Sequence, residues 1–431
     1  MKSRLLMLAI AGLPATFSSS AHAQTETLLV QPSLPYDFDR GRNVSVLQRG
    51  RPDYDALGIR AGSFLIYPEV TMAARYSNNL YYTDTNKIDD GAVTVAPSVT
   101  VKSDWSRNQL QINGGVQLQR YFQETLRNQT PFNLGTQATL QIGNSVQIIP
   151  QLQFYRQYET PFTGETSSDS AILSHYSRKY GAIRAEYGSG QTKLTFSVDD
   201  NIYKFSDIRS KSLAIIDQSD RDRNIARVTA QGQYAFTPSL SSYLQLEYAN
   251  TDYDRTLLNG QPNRDAQGIR AIGGFNFDLA SLLRGTIGLG YTHRNFRSGL
   301  YPSVGGFSAE GRLEYFPSEL TTLTLAVRRV IEDSSLGGSR AFFDNRASVR
   351  VDHELRANLL VKATGEIIRQ NYIGTTDKAN AYNLGAGAVY LSSRRLALKM
   401  DMNYSDRTRN GAAAGQKFNE FNATLGVTLK Q

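Results

Sequence analysis

Cysteine is absent from the chain, which excludes disulfides, thiolate metal sites and the lipid-modified cysteine on which a bacterial lipoprotein is anchored. Long apolar runs are missing as well. The run from Leu5 to Leu13 is well short of the roughly 20 residues that a membrane-spanning helix requires, and no longer run follows it. Helical insertion into a bilayer is thereby excluded. Histidine is scarce, and His175, His293 and His353 stand in no metal-ligand spacing such as H-E-x-x-H. No G-x-S-x-G is present either, so the sequence offers no hydrolase signature and no enzyme, metal or cofactor is expected. His293 beside Arg294 is the one candidate for rim chemistry, and a histidine in such a place is usually inert. The formal charge is +8 with a pI near 9.4, yet acids and bases alternate along the whole length. That leaves no basic face for nucleic acid.

What is present begins with a secretory signature. Lys2 and Arg4 precede the apolar run, and small residues lead to Ala21-His22-Ala23, so residues 1–23 are expected to be a signal peptide cleaved between Ala23 and Gln24. Residues 24–61 hold Pro32, Pro35 and Gly41 among many polar residues and show no sustained period. They form a periplasmic extension in this reading, either flexible or acting as a plug or docking segment.

From Phe64 onward, segments of about 10 to 14 residues alternate apolar with polar, the period of strands that are wet on one face. Val93, Val95, Pro97, Val99 and Val101 interleave with Thr94, Ala96, Ser98, Thr100 and Lys102. Leu396, Leu398, Met400, Met402 and Tyr404 interleave with Lys399, Asp401, Asn403 and Ser405. Counting on this template predicts about 18 strands, from 64–76 to 416–430, all of them in residues 62–431. Short gaps such as Asn144-Ser145 and Thr237-Pro238-Ser239 take turns with long polar gaps such as 160–174 and 206–223. An even strand number, short turns on one rim and long loops on the other describe an all-β, antiparallel, up-and-down transmembrane barrel with a polar lumen. Soluble sandwiches use strands half as long. Aromatics gather near strand ends: Tyr76, Tyr81 and Tyr82, Tyr121 and Phe122, Phe154 and Tyr155, Tyr203 and Phe205, Tyr315 and Phe316. Interfacial girdles are expected from them.

The opposite parity assigns the lumen wall. Candidate lining residues are the acids Glu69, Asp199, Glu247, Glu310, Glu314 and Glu366 and the bases Arg75, Arg227, Arg270, Arg312 and Arg350. Such a wall either imposes a field on passing solutes or merely keeps a polar interior wet through cross-strand pairs. Gln117, Gln137 and Gln151 belong to a wider ladder with Gln111, Gln119, Gln141 and Gln153. Amides beside Tyr121 and Tyr155 suit sugars, although a solvated wall would look the same.

The run Arg51-Pro52-Asp53-Tyr54-Asp55-Ala56-Leu57-Gly58-Ile59-Arg60-Ala61-Gly62-Ser63-Phe64, with Tyr67-Pro68 and Tyr76-Ser77-Asn78-Asn79-Leu80-Tyr81, resembles the putative β-barrel porin 2 family from about Arg51 to the end. The resemblance implies a Gram-negative outer-membrane location and contact with outer-membrane lipids, lipopolysaccharide and the assembly machinery. It also implies a role in export or assembly of exopolysaccharide or capsule, with periplasmic export components as partners. A general diffusion porin and a structural barrel with an occluded lumen are the alternatives. Phe421, Ala423, Leu425, Val427 and Leu429 resemble the C-terminal strand that the assembly machinery reads, though the chain closes on Leu429-Lys430-Gln431 rather than on an aromatic.

Overall fold

The computed structural model describes residues 44–159, 162, 170–280, 282–334, 339–411 and 416–431. The expected signal segment, its cleavage site at Ala23 and Gln24, and residues 24–43 lie outside the described residues. Period-two alternation produces eighteen wall strands. They are β1 Phe64–Ser77, β2 Asp90–Ser103, β3 Gln109–Val116 continued by Leu118–Tyr121, β4 Phe132–Ile142, β5 Val146–Tyr158 and β6 His175–Ser189. Next come β7 Thr192–Phe205, β8 Arg223–Thr237, β9 Leu240–Tyr253, β10 Ala266–Leu279, β11 Leu283–Phe296 and β12 Val304–Ser318. The last six are β13 Thr321–Asp333, β14 Ala341–Arg356, β15 Leu359–Tyr372, β16 Lys378–Leu391, β17 Leu396–Asn410 and β18 Phe418–Lys430.

Each strand pairs antiparallel with the next, and β1 pairs with β18 from Glu69↔Lys430 to Ser77↔Asn422. The sheet therefore closes and leaves no edge, as a hydrocarbon surround requires of every backbone N–H and C=O. β3 is interrupted at Gln117, opposite the Ala96-Pro97 pair, where Pro97 has no amide hydrogen to give to the ladder. The register survives the break, with Ser98↔Gly115 on one side and Val95↔Leu118 on the other.

The outward faces are apolar and exposed, including Leu152, Ile183, Leu194, Phe196, Leu244, Leu246, Leu289 and Leu384. A continuous apolar belt of this extent on a water-soluble protein would far exceed the few hundred Å² usually tolerated. No described helix is long and apolar enough to cross a membrane; the strands do so instead. The expected girdle holds for four of the eleven aromatics named for it. Tyr76, Phe122, Phe154 and Tyr315 do face outward and are exposed. Tyr81, Tyr121, Tyr203, Phe205 and Phe316 are buried, and Tyr155 and Tyr82 pack against inward clusters. The correction is geometric: neighbours along a strand point to opposite faces, so Tyr121-Phe122 and Phe154-Tyr155 cannot both reach the membrane interface. Tyr203 and Phe205 share one parity, and it is the inward one. The outer belt is completed by Tyr248, Tyr291, Phe307, Tyr382 and Tyr404.

Inside the wall, Tyr243 of β9 lies flat over Gly274 of β10 and Gly288 of β11, where an added Cβ would meet its ring or hydroxyl. Gly288→Val should therefore cost about 1–3 kcal/mol through overpacking, read as a lowered urea midpoint for the refolded barrel. Gly190→Ala would test backbone strain instead, because Gly190 has φ +57° and open space around it.

Candidate functional site

The lumen is built from the inward parity of all eighteen strands. Its charged side chains run in pairs, some between strands and some two residues apart on one strand, along most of the circumference. Asp199 of β7 meets Arg227 of β8 at 2.9 Å, and Glu247 of β9 stands opposite Arg270 of β10 in the ladder. Arg270 reaches Glu310 of β12 at 2.5 Å, while Arg284 of β11 and Arg312 of β12 share Glu314 at 2.7 and 3.1 Å. Arg350 pairs with Asp352 at 2.7 Å, Arg346 lies between Asp344 at 2.6 Å and Glu366 at 3.8 Å, and Lys399 and Arg75 face Glu69 and Glu420 at 3.8 Å each. The acids and bases named from the sequence have inward parity in the ladder, and several of them pair with charges outside that set: Glu69 with Lys399, Arg75 with Glu420, Arg350 with Asp352 and Glu366 with Arg346. The chemical consequence is a wall whose charges are largely compensated.

One sector differs. Between their ends, the inward positions of β2 to β5 carry mostly amides, hydroxyls and small residues, with Ile149 among them, and the charged exceptions are Lys102 at the short-turn end and Asp90, buried at the long-loop end. Gln111, Gln137 and Gln151 form a single cross-strand row on β3, β4 and β5. Gln117 donates to Gln119 at 3.2 Å, and Gln119 to the Tyr121 hydroxyl at 2.6 Å. Gln111, Gln117, Gln137 and Gln151 are all half-buried rather than covered. The sector presents amides with spare hydrogen-bonding capacity to whatever occupies the lumen.

Both mouths carry chain. At the short-turn end, residues 44–57 enter the barrel instead of leading away from it. Val46 is fully buried and its amide donates to Thr322 Oγ1 of β13 at 3.0 Å. Arg51 reaches Glu354 of β14 at 2.8 Å, Arg49 approaches the same carboxylate at 3.5 Å, and Arg394 donates to the Pro52 carbonyl at 2.8 Å. Sequence reasoning treated 24–61 as one extension, either flexible or a plug; its described part is packed. No periodic signal could have located contacts between partners some 270 to 305 positions apart.

At the long-loop end, Phe162 from the β5–β6 connection packs on Ile368, Ala381 and Phe418, and its carbonyl accepts from Gln370 Nε2 at 2.8 Å. Those partners belong to β15, β16 and β18, on the far side of the lumen from β5. Arg127 from the β3–β4 connection is buried, donates to the Ser170 carbonyl at 2.7 Å and lies 4.1 Å from the Tyr81 ring centroid. Glu159 receives two hydrogen bonds from Arg221 of the β7–β8 connection. Burial alone pushes the Glu159 carboxyl up, but Arg221, helped by Ser174, more than offsets this and holds it below the usual carboxylate range. A depressed carboxylate contributes its stability above the unfolded value and loses it as pH falls through the folded one. Acidification below about pH 4 should thus loosen this loop contact, seen as faster proteolytic nicking of the loops with the barrel intact. Neither Arg127 nor Arg221 was legible beforehand, because loop residues carry no parity. His293 hydrogen-bonds Asn295 on the outer face while Arg294 turns inward to Asp333 at 2.7 Å, so the two do not form one site.

The model of a family described as putative beta-barrel porin 2 matches residues 51–431. No curated protein matches the chain. Among solved structures, the outer membrane protein OpdK of Pseudomonas aeruginosa is similar at 11% identity and TM-score 0.46, over 85% of this chain and 99% of that one. OpdO of the same organism is similar at 10% identity and TM-score 0.46, over 85% and 97%. The ferric enterobactin receptor PfeA is similar at 9% identity and TM-score 0.45, over 85% and 80%.

Proposed function

As the chain belongs to the putative β-barrel porin 2 family, an outer-membrane porin-like barrel, we propose that it serves the export or assembly of a secreted polysaccharide across that membrane, after removal of an N-terminal signal peptide. The observation that carries this reading is the amide sector of β3 to β5, where Gln111, Gln137 and Gln151 stand in one row facing the lumen. Sugars offer hydroxyls to amides and C–H faces to rings such as Tyr155, whereas small ions gain little from either. Chain in both mouths argues against a permanently open diffusion pore. The reading assigns the barrel no reaction: its part is to pass or position the polymer.

Replacing the three glutamines together by leucine roughly keeps side-chain volume while removing the amides. Secreted polysaccharide should fall several-fold or shorten, while the amount of barrel in the outer membrane stays constant. Unchanged polysaccharide yield and chain length in a strain lacking the protein altogether would refute the reading.

A further inference from the structure

The lipid-facing surface has its own charge pattern. On the outward side, the short-turn ends of the described strands carry Arg356, beyond the irregularity that ends β14, whereas Arg120, Arg156, Lys179 and Lys378 occupy it near the long-loop ends. One group is better organised than the rest. Arg329 of β13, Asn345 of β14, Arg369 of β15 and Asn380 of β16 are consecutive register partners, so they form a single row around the outside of the barrel. Strands lie about 4.8 Å apart, which sets the two arginine backbones about 10 Å from each other with an amide between them. The row immediately below, Val327, Ala347, Ile367 and Tyr382, is apolar. The charged row thus sits on the border of the hydrocarbon belt.

Neither guanidinium meets a carboxylate among the described residues. Arg329 donates through Nε to the Phe307 carbonyl at 2.9 Å, donates through Nη1 to Asn345 Oδ1, and lies 4.2 Å from the Phe343 ring centroid. Those contacts pin it against the wall and leave the rest of its fork free. Asn345 Nδ2 donates to the Arg369 carbonyl at 3.0 Å, so Asn345 is tied to both arginines of the row. Two uncompensated cations beside hydrocarbon are costly unless anions at headgroup level accept them.

We propose that this row binds a phosphorylated glycolipid of the outer leaflet, of the lipopolysaccharide type, with a phosphoryl group held between Arg329 and Arg369. The planar fork of arginine matches phosphate oxygens two at a time. Asn380, next to Arg369 in the row, faces the hydroxyls and amides of the attached sugar, while Asn345 is held to Arg329, Phe343 and Arg369 and spaces the two guanidinium groups, which favours a phosphosugar over a simple anionic phospholipid. Acyl chains then lie down the apolar row beneath.

The test is native mass spectrometry of the full barrel released from nanodiscs holding diphosphorylated lipid A, its dephosphorylated form, or phosphatidylglycerol. Retention of the diphosphorylated lipid alone is expected, and the R329Q/R369Q variant should bind it about tenfold more weakly or worse. Should that variant fold poorly, Asn345→Asp sets a carboxylate between the arginines and should release the lipid from a barrel of unchanged heat stability. Equal retention by the variants and the parent overturns the proposal. So does equal retention of phosphatidylglycerol, which would show a plain anionic surface, and so does a dimer lost in R329Q/R369Q, which would make the row a contact between copies.

Discussion

Deleting residues 24–57 is expected to raise single-channel conductance of the refolded barrel several-fold. The described part of that segment crosses the short-turn mouth and is fastened at three kinds of point: the Val46 amide on Thr322, Arg51 and Arg49 on Glu354, and the Pro52 carbonyl on Arg394. Eighteen strands ordinarily surround an aqueous channel unless something fills it, so withdrawing the filler should widen the path for ions. Glu354 is the point where the fastening is most sensitive. Its carboxylate and the Arg51 guanidinium are about nine-tenths covered, and breaking a buried pair by removing one partner leaves the other charge unpaired. Glu354→Gln should raise the open population, tenfold for each 1.4 kcal/mol of lost attachment. High salt should act in the same direction but weakly, since the pair is only partly reached by solvent. Identical conductance in the parent, the deletion and Glu354→Gln would show that the segment does not limit the path.

The wall was legible in the sequence and the contents of the lumen were not, for one physical reason. A strand that separates lipid from water must alternate, so parity alone placed Asp199, Arg227, Glu310, Glu314 and Arg350 inward and Leu425, Val427 and Leu429 outward. Parity also contained the correction to the girdle, because it forbids Tyr121 and Phe122 from sharing a face. Chain that enters the barrel obeys no such rule. Ser45 to Pro52, Phe162 and Arg127 take their positions from partners on distant strands, and their local sequence is indistinguishable from a polar linker. The same limit separates the two kinds of arginine on the wall. Inward arginines were visible as candidates because they interrupt no apolar face, whereas the meaning of Arg329 and Arg369 emerges only when the register sets them in one row with Asn345.

A matched pair on a single strand measures where the hydrocarbon ends. Leu152 and Arg156 lie on the outward face of β5, four residues apart, or about 13 Å along the strand and about 9 Å in depth at a 45° tilt. Leu152 is 61% exposed to the surround and sits among the apolar belt, while Arg156 stands over the Phe132 ring at 5.4 Å near the loop end. Leu152→Arg should destabilise the barrel by about 2–4 kcal/mol, the cost of a cation near the bilayer midplane. Arg156→Leu should change stability by no more than about 0.5 kcal/mol, because its side chain already reaches the headgroups. Equilibrium unfolding in lipid vesicles reads both values on one scale. If the two substitutions cost the same, the belt is not the part of the surface that faces hydrocarbon, and the depth assigned to the Arg329–Asn345–Arg369 row falls with it. If the costs separate as expected, Leu152 fixes the interior of the membrane and Arg156 its outer border.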